Sequence, residues 1–343
     1  MTVQEAKDIT REWLLARAAS LPDLQGAFFH GSITWLSDED DMPPGADVDL
    51  IVILNHPDAH RSGKLSHGGL ILDVTYLPRE EPGPAEQVLS KFFWAGSFRR
   101  PNIIADRTGQ LTALQKEVAL KFAHRHWVIR RCEDARDRAI GYIGECDPQA
   151  PLHDQVTHWL FGRGLMVHML LVAGLKNPTV RKRYVEVRKL LAAHTPPAPP
   201  DFYERLLESV HFAQLDAPTV GRWLHALEPA FDAARDCIRS PYRFAADISD
   251  TGRPIAIDQS WHLVRAGLHR EAMFWILATW CRCMHILTAD ASPAILERQT
   301  GEFQQLLTSL GITSFQQRQE SNRVAADFLK EVWTVCEDII ARL

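Results

Sequence analysis

The sequence lacks the motifs of several widespread enzyme families. Its 343 residues contain no Walker A loop, no Gly-x-Gly-x-x-Gly, no His-Glu-x-x-His and no Gly-x-Ser-x-Gly. Those motifs build the phosphate loop of P-loop NTPases, the dinucleotide turn, the zinc-peptidase helix and the hydrolase nucleophile elbow. His153 and His158 are five residues apart, one more than a shared helical face allows. We therefore do not expect these chemistries.

Long apolar runs and paired cysteines are also missing. No uninterrupted apolar stretch reaches 18 residues, and residues 272–289, which come nearest, carry Arg282 and His285. We expect a buried helix there rather than a membrane span, and the N-terminus has no signal-peptide core. The six cysteines follow no disulfide or zinc pattern, since Cys281 and Cys283 do not share one helical face with His285. We expect free thiols, a cytoplasmic location and no membrane partner.

Positive charge is scarce for a protein that would hold a polynucleotide. The chain has 38 Lys and Arg against 43 Asp and Glu, a net charge of −5. Proteins that grip nucleic-acid backbones usually carry a basic groove, so a nucleic-acid partner is not favoured, although a local basic patch is compatible with this total. The length exceeds the usual range of one domain, and we expect two.

The most informative stretch is residues 30–54, HGSITWLSDEDDMPPGADVDLIVIL. Gly31-Ser32 follows an apolar segment, and fourteen residues separate Ser32 from Asp47. Asp47 and Asp49 open a second apolar strand, and their spacing of two puts both carboxylates on one face of it. Two carboxylates so close repel each other, and a divalent cation such as Mg²⁺ neutralises them. Glycine lets the backbone approach a phosphate, which the serine hydroxyl and the following helix start can bind.

A third carboxylate comes from residues 69–77, GLILDVTYL, where Asp73 is the one acid in an apolar strand. An apolar residue, Gly-Ser, a spacer, Asp-x-Asp and a later strand acid resemble the nucleotidyltransferase superfamily that includes DNA polymerase beta. Within it, the chain resembles the antibiotic (aminoglycoside-type) nucleotidyltransferases. The resemblance covers roughly residues 20–80, and the spacer is slightly longer and more acidic than the family pattern.

The resemblance implies a reaction and a set of roles. A nucleoside monophosphate, most often AMP from ATP, passes to an acceptor hydroxyl, and pyrophosphate leaves. Asp47 and Asp49 would bind Mg²⁺, and Asp73 would complete a second metal position or act as the general base. In some relatives an acid elsewhere is the base. The residues that would contact the nucleotide are Gly31, Ser32 and, in the helical part, Lys182 and Tyr184.

Periodicity divides the chain into two parts. Residues 1–112 alternate helices with strands at about 24–30, 47–54, 69–77 and 103–104, with residues 55–68 as a connection and a helix at 85–95. From residue 113 apolar residues recur at helical spacing, over 113–145, 153–175, 179–194, 201–211, 217–239, 258–289, 293–310 and 315–342. We predict an α+β fold, with a small mixed-sheet nucleotidyltransferase domain (1–112) followed by an all-helical bundle (113–343).

Two further segments have more than one interpretation. The basic residues of 179–189 either bind the leaving pyrophosphate, through Lys182, or form a solvated helix face. The aromatic segment 264–280 is either core or an acceptor pocket, with Glu271 as general base or as a carboxylate for a cationic acceptor. The acidic run 38–41 is either a solvated loop or part of such a pocket.

Three functions remain in competition. The first is adenylylation of a small-molecule hydroxyl, with an aminoglycoside-like antibiotic as a possible acceptor. The second is nucleotidyl transfer to tRNA or to a protein, as in a toxin or a regulator. The third is a non-catalytic nucleotide-binding module, against which the three intact aspartates argue.

Overall fold

A computed structural model describes residues 1–57, 60, 62–145, 147–194 and 199–343. Contacts divide the chain into two units, Met1–Arg131 and Cys132–Leu343, and the chain passes from one to the other within a helix. The fold is α+β, and its described residues form one five-stranded mixed sheet and thirteen α-helices.

The first unit is built around the sheet. Its elements are α1 (Val3–Arg17), β1 (Leu24–His30), β2 (Asp47–Leu54), β3 (Gly63–His67), β4 (Leu70–Pro78), α2 (Ala85–Ser90), α3 (Phe92–Ala95), β5 (Ile103–Asp106), α4 (Gln110–Lys121) and the start of α5 (Arg125–Gly144). The strand order is β3-β4-β2-β1-β5, and only β2 and β4 are parallel.

Alternation along β2 gives the sheet two buried faces. Val48, Leu50, Val52 and Leu54 pack in one core with α1, which begins with a Thr2–Glu5 capping box. Ile51 and Ile53 point the other way and pack with residues of α2 and α4. Asp47 and Asp49 share this second face at the start of the strand, so the face is apolar at one end and acidic at the other.

In the second unit, all the regular secondary structure of the described residues is helical. This unit contains the rest of α5, then α6 (Leu152–Ala173), α7 (Arg183–Ala193), α8 (Phe202–Ser209), α9 (Ala217–Cys237), α10 (Gln259–Arg265), α11 (His269–Asp290), α12 (Pro293–Ser309) and α13 (Phe315–Ile340). By length and composition α6 and α11 could cross a membrane, but both are largely buried inside this unit, which is consistent with a soluble protein.

Several predicted elements differ in detail from those observed. The segment 55–68, predicted as a connection, contains strand β3. The helices expected at 85–95 and 113–145 are each broken into two, and α4 packs on the sheet through Val118. The segment 258–289, predicted at helical spacing, contains two helices, α10 and α11, and a π-helical turn, Pro254–Asp258, leads into it. Five cysteines are free thiols, and Cys146 lies outside the described residues.

Candidate metal and nucleotide site

Four side chains form a row across the sheet of the first unit. The strand registers pair His30 of β1 with Asp49 of β2, Asp49 with Asp73 of β4, and Asp73 with Lys64 of β3. Residues paired in register project from the same face of a sheet. Neighbouring strands therefore place two acids between a histidine and a lysine, and Asp47 joins them two residues before Asp49.

The three predicted aspartates come together in the structure. Asp47, Asp49 and Asp73 each offer a carboxylate oxygen, and these oxygens lie within 4.8 Å of one another. All three residues are partly buried. At an effective dielectric near 20, two unit charges at such a distance repel by about 3–4 kcal/mol, so the cluster needs a counter-charge. An all-oxygen donor set of this kind fits a hard divalent cation such as Mg²⁺.

Lys64 supplies a counter-charge that sequence reasoning missed. Its side chain is only 5% exposed, its Nζ lies 2.9 Å from Asp47 Oδ2, and it also donates to Asp73 Oδ2. The segment Gly63–His67 contains one strongly apolar residue, Leu65, and such a pattern does not predict a strand. The one feature of the sequence that could have indicated Lys64 is its position between β2 and β4, the two strands that carry the aspartates.

Gly31 brings the backbone against Asp49. Its φ is +63°, in the left-handed region that favours glycine. A Cβ built on Gly31 would lie 1.9 Å from Asp49 Oδ2, so no other residue fits without moving that carboxylate. The Gly-Ser turn leads into a 3₁₀-helix of five residues, Gly31–Trp35. This helix is too short to supply much of a dipole, so the backbone approach and the Ser32 hydroxyl are what the turn offers a phosphate.

His30 is a second residue that the motif analysis did not assign. Its Nδ1 lies 2.7 Å from Ser97 Oγ, and its ring packs edge-on against Trp94 at 5.0 Å. Burial lowers the pKa of this imidazole to about 4, because the charged form loses its hydration. The ring beside Asp49 is therefore neutral at pH 7, and it adds no positive charge to the cluster.

Arg99 is a cation of the first unit close to the Gly-Ser turn. It donates to Thr34 O at 3.3 Å and its guanidinium stacks on Trp35 at 4.0 Å, while Thr34 Oγ1 donates to Gly31 O at 2.8 Å. Burial, with a smaller effect of Arg100, lowers the pKa of Arg99 to about 10, so it stays charged at pH 7. Its Nε has no hydrogen-bond partner among the described residues.

The second unit contains the two other predicted nucleotide contacts. Lys182 precedes α7, and burial, reinforced by Arg181, lowers its pKa. Tyr184 is fully buried in the helical core, its ring 6.1 Å from that of Phe274, and its hydroxyl has no partner among the described residues. Tyr184 is therefore a core residue of this unit. Of the two predicted nucleotide contacts, Lys182 is the one that reaches the surface of the unit.

Glu271 and its neighbours have internal roles as well. Its carboxylate is buried, and it accepts hydrogen bonds from Tyr203 Oη at 2.8 Å and Arg188 Nη1 at 3.3 Å. Burial, reinforced by the neighbouring Glu271 carboxylate, raises the pKa of Tyr203. A buried carboxylate held by a neutral and a cationic donor is satisfied without any ligand.

The acidic run 38–41 is attached to α1. Asp38 pairs with Lys7 at 2.6 Å, and the backbone carbonyls of Asp38 and Asp40 accept the first amides of the helix. Those amides have no partner within the helix itself. The run therefore stabilises the start of α1 through one ion pair and two backbone hydrogen bonds.

No family model matches the chain, and no curated protein matches it in sequence. The site therefore has to be interpreted from its own geometry: an oxygen-donor cluster on a mixed sheet, next to a left-handed glycine and a short turn.

Proposed function

We propose that the protein is a Mg²⁺-dependent nucleotidyltransferase that transfers a nucleoside monophosphate, AMP from ATP, to a hydroxyl of a small-molecule acceptor. The observation that carries the proposal is the cluster of Asp47, Asp49 and Asp73 on adjacent parallel strands. A nucleotide-binding module without catalysis has no need of three repelling carboxylates. We place the reaction in the cytoplasm, with a cationic, aminoglycoside-like compound as the first acceptor to test and antibiotic resistance as its biological consequence.

Each carboxylate has a role in this proposal. Asp47 and Asp49 would hold the metal that accompanies the triphosphate, and Asp73 would complete the cluster. When bound, Mg²⁺ would neutralise charge on the phosphates and lower the pKa of the acceptor hydroxyl. The acceptor oxygen forms a bond to the α-phosphorus, the bond to pyrophosphate breaks, and the hydroxyl proton goes to a base. Asp73, to which Lys64 donates, would serve either as a metal ligand or as that base.

Groups of the first unit can also bind the phosphates. Gly31 gives the backbone a close approach beside Asp49, and Ser32 follows it with a hydroxyl group. Arg99 adds a stacked cation next to the same turn. Transfer of a phosphoryl-type group depends mainly on such positioning and charge stabilisation.

The contacts of Lys64 favour one alternative function, a nucleotide-binding module without catalysis. The Lys64 ammonium contacts Asp47 and Asp73 and offsets one of the three negative charges, so the cluster is partly compensated without a metal. A chain that had lost catalysis could retain the fold in this way as a nucleotide-binding module. The two candidates differ in one measurable property, because only the enzyme requires a divalent cation to bind the triphosphate productively.

The deciding experiment is nucleotide binding with and without Mg²⁺ for the four NTPs, using the wild type and Asp47→Asn/Asp49→Asn. The enzyme proposal predicts Mg²⁺-dependent binding that the double variant loses. A matched control, Asp38→Asn/Asp41→Asn, removes two acids of the loop and should bind as the wild type does. Pyrophosphate release is then screened with aminoglycosides first and tRNA second. Equal binding by the wild type and the site variant would refute the metal site.

A further inference from the structure

A second group of metal-binding side chains lies in the helical unit. His153 and Asp154 stand in the first turn of α6, and His285 lies on α11. One ligand atom of each lies within 4.8 Å of the other two. The sequence alone does not predict that α6 and α11 meet here, because more than a hundred residues separate Asp154 from His285.

The spacing of the three groups is close to that of a metal centre. His153 Nε2 lies 3.7 Å and His285 Nδ1 lies 3.8 Å from the same atom, Asp154 Oδ1. In a tetrahedral zinc site with bonds of about 2.0–2.1 Å, two ligand atoms are about 3.4 Å apart. The observed separations exceed this by a few tenths of an ångström, which small side-chain rotations can close. They are also too long for hydrogen bonds, so the groups face one another without satisfying one another.

We propose that His153, Asp154 and His285 form a binding site for a divalent transition-metal ion of the zinc class. Two imidazoles and one carboxylate favour Zn²⁺ over Mg²⁺ or Ca²⁺, which prefer oxygen ligands alone. The three residues leave a fourth coordination position open, as in catalytic rather than structural zinc sites. The side chains of Asp154 and His285 are 44% and 39% exposed, whereas that of His153 is 7% exposed. The ion therefore enters from solvent and rests on a buried imidazole.

Neighbouring side chains hold the ligands in place. The Tyr242 ring stacks on His285 with centroids 4.2 Å apart and planes at 21°, and His153 meets His285 edge-on at 5.3 Å. The side chain of His153 is buried beneath the two more exposed ligands. Cys281 lies one turn before His285 and is buried, and it is not part of the cluster that the three ligand atoms form.

The test uses the full-length protein stripped of metal and titrated with Zn²⁺ by calorimetry, or with Co²⁺ by visible absorption. We expect the wild type to bind one Zn²⁺ ion at this site, more tightly than the all-oxygen cluster of Asp47, Asp49 and Asp73 binds it. His285→Asn and Asp154→Asn, both at partly exposed positions, should each weaken Zn²⁺ binding about a hundredfold or more, since even outer-shell changes cost ten- to a hundredfold. Both should also remove the tetrahedral Co²⁺ bands. Circular dichroism confirms that the variants are folded.

Two controls separate this site from other possibilities. His158→Asn changes another histidine of α6, one that lies beside Tyr142 and outside the cluster, and it should bind Zn²⁺ as the wild type does. Asp47→Asn/Asp49→Asn should also retain Zn²⁺ binding, so this proposal stands or fails independently of the nucleotidyltransferase. Absence of binding in the wild type, or equal affinity in His285→Asn and Asp154→Asn, would overturn it.

Discussion

A single methyl group at Gly31 tests the candidate site of the first unit. In Gly31→Ala the new Cβ would lie 1.9 Å from Asp49 Oδ2, whereas real Cβ contacts are never shorter than 3.0 Å. The carboxylate therefore has to withdraw by about 1 Å, the difference between those two distances. Mg²⁺ requires near-ideal geometry with bonds of about 2.0–2.1 Å, so a ligand displaced this far no longer binds it well.

The variant has a second, separate effect on the backbone. Alanine at φ +63° costs about 1–2 kcal/mol because the left-handed region brings Cβ against the carbonyl. That cost lowers the Tm of a unit of this size by a few degrees. Gly109→Ala is the matched control, since Gly109 has φ +77° and nothing within 4 Å of its built Cβ. Both variants should lose similar stability, and only Gly31→Ala should lose the site.

The assay is ATP binding at increasing Mg²⁺, together with thermal unfolding, for the wild type and the two variants. We expect the apparent Mg²⁺ affinity of Gly31→Ala to fall at least tenfold, as changes around metal ligands typically do, with no such change in Gly109→Ala. If Gly31→Ala binds Mg²⁺-ATP as the wild type does, Asp49 is not a ligand and the interpretation of the cluster is wrong.

Three other side chains give shorter tests. Lys64→Met leaves the aspartates without their cation, so the Tm without metal should fall while less Mg²⁺ restores it; thermal scans with and without Mg²⁺ measure both. Tyr203→Phe removes a donor from the buried Glu271 and should cost about 2 kcal/mol in urea unfolding; an unchanged midpoint would contradict the bond. The pKa of His30 is lowered to about 4, so the unfolded chain binds the proton first and stability should fall from about pH 6.5 towards 4. His30→Gln should reduce this slope in urea unfolding at several pH values.

Sequence could locate the three aspartates because each stands in a strand with an unmistakable apolar pattern. Asp47 and Asp49 open β2, and Asp73 interrupts β4. Parallel pairing of those strands then places Asp49 opposite Asp73. Lys64 could not be located in the same way, because β3 has little apolar content and is defined by pairing to β4 at the edge of the sheet.

The helical part shows a different limit of periodicity. A period of 3.6 residues identifies a helix but not the core against which it packs. Residues 113–145 were predicted as one helix of the second domain, whereas α4 buries Val118 against the sheet of the first unit. Likewise the resemblance implied a nucleotide contact for Tyr184, and the structure places its ring in the core of the helical unit. Tertiary packing determines where α4 and Tyr184 are buried, and no local sequence pattern encodes that packing.

Lys64 and a metal ion compete for the same oxygens, and this competition gives two effects of opposite sign. The ammonium contacts Asp47 and Asp73, so a divalent ion bound to those carboxylates repels it by several kcal/mol at short range. Metal binding must therefore release the lysine, which can move because β3 pairs on only one side. Removing the lysine then destabilises the metal-free protein and strengthens the metal-bound one. A merely structural ion pair would lose stability in both states, so the two measurements together distinguish a metal site from a buried salt bridge.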